Sequence, residues 1–250
     1  EMCIRDSDTT YASYILFPFE NLIKDGIYTF KGIDYQFDSN QKEDNNALHV
    51  LVFNKTFSIV ERSIKDDSVT IILEYIEYNE SKGFPYTYSI QVAYIFTSET
   101  ISLSVAVKNT SSKSFPFTIG WHPYFISDNL YDSTLRFECN QKILIGDRNI
   151  TTGIEDIEPV ETFKIKDQQL DDCWVLNSDK VIFSTPKYDL VFGASSKNNY
   201  LQAYTPPKLN TIAIEPTTGV SDSFNNKIGL QLLNPNETYN ISWDLKITNC

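Results

Sequence analysis

At 250 residues, with 41% hydrophobic and 14% aromatic side chains, the chain has enough apolar material for one large β domain. Its 21 basic residues face 33 acidic ones, a net charge of -12, which argues against a nucleic-acid partner and disfavours an anionic substrate. Four cysteines without a CxxC pair and only two histidines leave no zinc-ligand spacing and no disulfide framework. A protein without metal or cofactor, in a reducing cytoplasmic compartment, is therefore expected. No apolar run is long enough to cross a bilayer, so no membrane partner is expected either.

Taken in chain order, residues 1–10 match no strand pattern and are set apart from a domain over 11–250. Asn45-Asn-Ala-Leu-His49 leads into the apolar run Val50–Phe53, which predicts His49 at a strand entrance. A β-branched and aromatic run occupies Val69–Tyr78. Tyr88, Ile90, Val92, Tyr94 and Phe96 then fall on one face of an extended segment. After a polar stretch at Thr97–Thr100 the alternation resumes with Ile101, Leu103, Val105 and Val107, which predicts a half-buried antiparallel hairpin. Shorter runs at Leu135–Cys139, Val181–Ser184, Leu190–Gly193, Leu201–Tyr204 and Thr211–Ile214 are separated by the residues that turns require. Ile241, Trp243, Leu245 and Ile247 repeat the period of two at the C-terminal end. With no amphipathic helix of ordinary length and no repeat, the pattern predicts an all-β sandwich or barrel.

Four short segments hold the candidate chemistry. His122 lies in Thr118-Ile-Gly-Trp-His-Pro-Tyr-Phe125, where Pro123 forces an extended backbone and Gly120 permits close chain approach. Trp121, Tyr124 and Phe125 offer flat apolar surfaces suited to the C–H faces of a sugar ring. Glu215 ends the apolar strand of Thr211-Ile-Ala-Ile-Glu-Pro-Thr-Thr-Gly219, where partial burial would raise its pKa and make it a better base. Asp171 and Asp172 are adjacent in a predicted strand, so only one of them can address a given site. Taken alone, His49 reads equally well as a surface or strand-end histidine, whereas the aspartate pair reads better as a solvated turn and Glu215 better as an ordinary strand-end glutamate.

These segments, in this order, resemble the bacterial branch of the aldose 1-epimerase (galactose mutarotase) family. That branch carries Asn-Ala-Leu-His, Gly-x-His-Pro-Tyr-Phe, Asp-Asp-Cys-aromatic and Glu-Pro-x-x-Gly segments. The resemblance runs from about Tyr11 to the last strand. It implies a β-supersandwich with a shallow open cleft and a small-molecule aldose, such as glucose or galactose, as substrate. No cofactor is implied, and a monomer or weak homodimer is expected. By position, Glu215 is the implied general base and His122 the implied general acid. His49 and Asp171 are implied on the sugar hydroxyls, with Asn21, Trp121 and Trp174 as further substrate contacts. Asp171 is preferred to Asp172 because the family places its aspartate three residues before an aromatic, here Trp174.

The implied reaction requires neither metal nor redox step. A base takes the proton of the anomeric hydroxyl while an acid protonates the ring oxygen, and the two groups are expected to flank the pyranose from opposite sides. Two departures from the family pattern stand out. Phe17-Pro-Phe-Glu-Asn21 is followed by Leu22 where the family has arginine, so a shifted sugar preference or reduced activity is expected. The first residues match no family strand, so missing N-terminal strands and an exposed sheet edge are expected. Two other readings stay open. A hexose-phosphate epimerase would need basic residues at the cleft, and none of Arg5, Arg62, Arg136 and Arg148 adjoins the four segments in sequence. A non-catalytic carbohydrate-binding module would need only the aromatic walls and the hydroxyl partners.

Overall fold

The computed structural model describes residues 11–195 and 200–249. The atypical segment 1–10, with Cys3 and Arg5, lies outside the described residues, as does Cys250. Most of the strands join one 15-stranded sheet, and its strand pairs are antiparallel. The sheet runs from Ile15–Leu16 through Gly120–Trp121, Thr211–Thr217, Tyr200–Tyr204, Asp171–Val175 and Thr134–Ile145. It continues through Lys180–Ser184, Tyr188–Ala194, Thr238–Asn249, Thr100–Asn109, Tyr88–Phe96 and Val69–Glu77, and ends at Ser58–Ile64. The only α-helix among the described residues is the single turn Ser223–Asn226.

The period of two dictates which residues form the core. In the hairpin of Tyr88–Phe96 with Thr100–Asn109, Tyr88, Ile90 and Val92 are buried on one strand and Leu103, Val105 and Val107 on the other. The alternation outlasts the burial: Phe96 is 37% exposed, and so is half of Ile247 on the neighbouring strand. The ends of these long strands reach past the layer that covers their middles. Trp243, at 1% exposure, fills the centre of Thr238–Asn249. Beneath the first part of the chain, Phe17 sits among Phe84, Tyr88, Phe115 and Phe117, with ring centroids 5.0–6.2 Å from its own.

Besides several strands of two to four residues, two longer strands escaped the pattern. Ser58–Ile64 lies at the sheet edge and is almost wholly solvated, with Ile59, Val60 and Ile64 exposed around Arg62. Thr151–Lys164 pairs with Thr134–Ile145 through three register shifts, so its apolar residues Ile154, Ile157, Val160 and Phe163 recur every third position. Near His49 the expectation fails in a different way. Only Ala47–Leu48 is strand, paired with Leu22–Ile23, and Val50–Phe53 is turn. His49 therefore sits at a strand exit, with its backbone in the left-handed region (φ 48°).

Candidate active site

Glu215 belongs to Thr211–Thr217, a strand whose Ile212 and Ile214 face the core. Its own side chain points to the other face. Antiparallel register aligns Glu215 with Gln202, and Gln202 with Cys173, so these three form a row across three strands. The next row on that face is Tyr124, Ala213, Tyr204 and Asp171. Gln202 donates from Nε2 to Asp171 Oδ1 at 2.7 Å, tying the rows together.

His122 occupies the break between two short strands, Gly120–Trp121 and Tyr124–Ile126, that both pair with the Glu215 strand. Gly120 makes that approach feasible, because a Cβ there would lie 2.9 Å from Thr217 Cγ2. The His122 backbone N–H donates to the Tyr14 carbonyl, its own carbonyl accepts from Ser13, and its ring stacks on Tyr124 at 5.0 Å. Its Nε2 stands 3.4 Å from Glu215 Oε1, with both residues about 95% buried. At that distance no sugar ring fits between them. The expectation of acid and base on opposite sides is thus corrected to a side-by-side pair, because both are held by the same strand.

His49 reaches the same place from another direction. Its ring centroid is 5.6 Å from that of His122. Asn21 clasps it through the backbone: the Asn21 carbonyl accepts from the His49 N–H at 3.0 Å, and the Asn21 N–H donates to His49 Nδ1 at 3.1 Å. Accepting at Nδ1 puts the neutral ring's proton on Nε2. Asn21 therefore acts as a positioning residue.

Two expected contacts do not face this site. Trp121 is one residue from His122 along a strand, so it points to the opposite side. There it packs 6.3 Å from Trp243 and donates from Nε1 to Ser13 Oγ. Trp174 shares its face with Asp172 rather than with Asp171. It packs against Phe137 and Phe163 under Lys142, which is ion-paired to Asp172. Leu22, also buried, continues the short strand beside His49 and offers no polar group.

Sequence adjacency misled in one further respect. Arg148 does adjoin the site in space: its Nη2 donates to Asn46 Oδ1 at 2.7 Å and to Asp25 Oδ1 at 2.8 Å. The residues that went unnoticed in the sequence are Gln202, Tyr204, Cys173, Arg148, Asn149 and Glu20. For the first three, the signal was available only once the pairing register of Asp171–Val175, Tyr200–Tyr204 and Thr211–Thr217 was known.

Burial dominates the electrostatics. It pushes the Glu215 carboxyl well above the usual carboxylate range, with the charges of Asp171 and Glu20 adding to the effect. It pushes His122 down to about 4, opposed by the residue's own backbone carbonyl, and takes His49 well below its ordinary value, aided by His122. Asp171 is raised by burial and by Asp172, with Gln202 opposing. Behind Gly120 and Gly219 lies Glu20, 3% exposed and raised to about 8 by burial. Thr118 and Ser223 ease that shift, although neither hydroxyl meets its oxygens in hydrogen-bonding geometry. Among the described residues no group of three His, Cys, Asp or Glu could hold a metal ion, and no helix is long and apolar enough to cross a membrane. A separate groove of about 300 Å³, lined by Gln91, Ser104, Asn240 and Ser242, contains no titratable group.

Residues 3–246 match the family model described as aldose 1-epimerase. The protein YihR of Escherichia coli (strain K12) is 23% identical over 243 residues, covering 92% of this chain and 77% of its own. A galactose mutarotase-like protein from Clostridium acetobutylicum superposes with a TM-score of 0.84 at 20% identity, over 99% of this chain and 83% of its own. Galactose 1-epimerase from Lactobacillus acidophilus NCFM gives a TM-score of 0.80 at 14% identity, over 96% and 81% of the two chains. The fold is that of the galactose mutarotase-like sandwich.

Proposed function

The chain belongs to the aldose 1-epimerase family, and on that premise we propose that it interconverts the α and β anomers of a free aldose, with Glu215 and His122 as its acid–base pair. The observation that carries this reading is the 3.4 Å contact between Glu215 Oε1 and His122 Nε2 on a face shared with His49 and Asp171.

The two oxygens that exchange protons in mutarotation are bonded to the same carbon, C1. An acid and a base set side by side fit them better than a pair facing each other across the ring. Glu215 takes the proton of the C1 hydroxyl while His122 delivers one to the ring oxygen. The C1–ring oxygen bond breaks and an open-chain aldehyde results. Rotation about C1–C2 exposes the other face of the carbonyl. On closure Glu215 gives its proton to the C1 oxygen and His122 takes back the proton of the ring-oxygen hydroxyl, so the roles of acid and base are exchanged.

The opposed shifts leave one proton on the pair, resting on Glu215 with His122 neutral, so it passes across the 3.4 Å contact to His122 before Glu215 acts as the base. His49, donating from Nε2–H, and Asp171, steadied by Gln202, hold sugar hydroxyls; Tyr124 and Tyr204 form the walls. Cys139 and Cys173 are free thiols, which fits a reducing cytoplasmic setting.

Polarimetry on freshly dissolved α-glucose and α-galactose tests the proposal. Acceleration over the buffer rate, proportional to protein concentration, is expected; saturable sugar binding without it would leave a binding module as the better reading.

A further inference from the structure

Followed around its circumference, the site closes on itself through residues that the proposed reaction does not use. Glu215 touches His122, and His122 faces His49. Three residues before His49, the fully buried Asn46 binds Arg148 twice: its Oδ1 accepts from Nη2 at 2.7 Å, and its Nδ2 donates to the Arg148 carbonyl at 3.2 Å. The next residue, Asn149, donates from Nδ2 to Asp171 Oδ2 at a long 3.4 Å. Asp171 returns through Gln202 to the strand of Glu215. The turn Asp147–Asn149 is therefore the span between His49 and Asp171, on the side of the ring away from the reacting pair.

That turn is built with care. Arg148 and Asn149 both adopt left-handed backbone (φ 60° and 58°), a region Asn enters readily but Arg holds only when its surroundings over-determine it. Here the surroundings do so from three segments: Asn46 holds the Arg148 carbonyl, Ser221 Oγ donates to the Asn149 carbonyl at 2.7 Å, and Asp25 pairs with the guanidinium. Arg148 Nε is buried with no partner. Leu22, on the short strand beside His49, is buried and apolar and adds no donor of its own. Because Asp25 already neutralises the guanidinium, the turn suits neutral hydroxyls better than a phosphate.

We infer that Arg148 and Asn149 are substrate-positioning residues, reading the hydroxyls of the aldose remote from C1. The inference rests on the mutarotase reading for its substrate, and the test separates the two. Asn149→Gly keeps the left-handed backbone and removes only the amide; Arg148→Gln removes the guanidinium and Arg148→Lys keeps its charge. Each variant is assayed by polarimetry on glucose, galactose and 3- and 4-deoxyglucose, with sugar binding followed in parallel by calorimetry.

Asn149→Gly and Arg148→Gln are expected to raise KM by roughly tenfold or more, leaving kcat within about threefold, with Arg148→Lys recovering part of the loss. The penalty shrinks on the deoxy sugar that lacks the hydroxyl read. Wild-type KM in both variants, or a loss confined to kcat and equal on every sugar, overturns the inference and leaves the mutarotase reading intact. Wild-type protein that binds aldose without turning it over, with binding lost in the variants, overturns the mutarotase reading alone. Protein that neither binds nor converts any of these sugars overturns both.

Discussion

The strands from Ser58–Ile64 to Thr238–Asn249 and those from Gly120–Trp121 to Asp171–Val175 share one sheet but are made differently. The first group has mostly long strands in antiparallel register broken at one place, between Ile59 and Glu61, and no non-glycine residue between 58 and 109 has a positive φ. The second has short strands, interrupted at His122, with polar residues buried beside one another: Glu20, His122, Gln202 and Glu215. Around it, Asn21, Asn45, His49, Arg148 and Asn149 all hold left-handed backbone. Such residues cost on the order of 1–3 kcal/mol each, and a buried ionisable group costs more still. Regular pairing in one half supplies stability, and the other half spends some of it on holding polar groups in place. The difference is a division of labour within one sheet, and substitutions can break it.

The largest effect is expected at the reacting pair. Glu215→Gln and His122→Asn should lower kcat by about 10²–10⁴-fold, while the thermal midpoint stays at or above wild type. Unchanged turnover in Glu215→Gln would remove the proposed base. In the regular half the signs reverse: Trp243→Ala should cost about 3–5 kcal/mol in chemical denaturation and leave KM of the surviving folded protein unaltered.

Glu20→Gln sharpens the contrast through pH. Burial raises the folded-state pKa of Glu20 from 4.5 to about 8, so the native state keeps a proton that the unfolded chain loses. Wild-type stability should therefore fall as pH rises through that window, by on the order of a few kcal/mol, and the glutamine variant should lack this component. Parallel unfolding curves for the two proteins from pH 5 to 9 would refute it. The smallest effect is His49→Asn, expected to raise KM roughly tenfold with little change in kcat, measured by polarimetry across sugar concentrations.

The same division governs what could be read from the sequence. Long strands with one dry face write their period into the chain, so the hairpin of Tyr88–Phe96 and Thr100–Asn109 was legible residue by residue. His122 stood out through its local string, while Glu215, His49 and Asp171 did so only through the order of the four segments together; the structure brings the four onto one face. Trp121 and Trp174 were misplaced by the same strings, since neighbours along a strand point to opposite faces. Gln202 and Tyr204 were hidden because pairing register is a tertiary fact. Arg148 was hidden because its partner Asn46 lies 102 residues away. Thr151–Lys164 was hidden because its bulges reset the period.

One further property follows from Glu215 and His122 lying in direct contact. In the proposed cycle, each side chain reverses on closing the proton transfer it made on opening. The protein thus ends each conversion in the charge state in which it began, whichever anomer it received. Nothing has to be fetched from bulk water between cycles, and the catalyst has no recovery phase and no preferred direction.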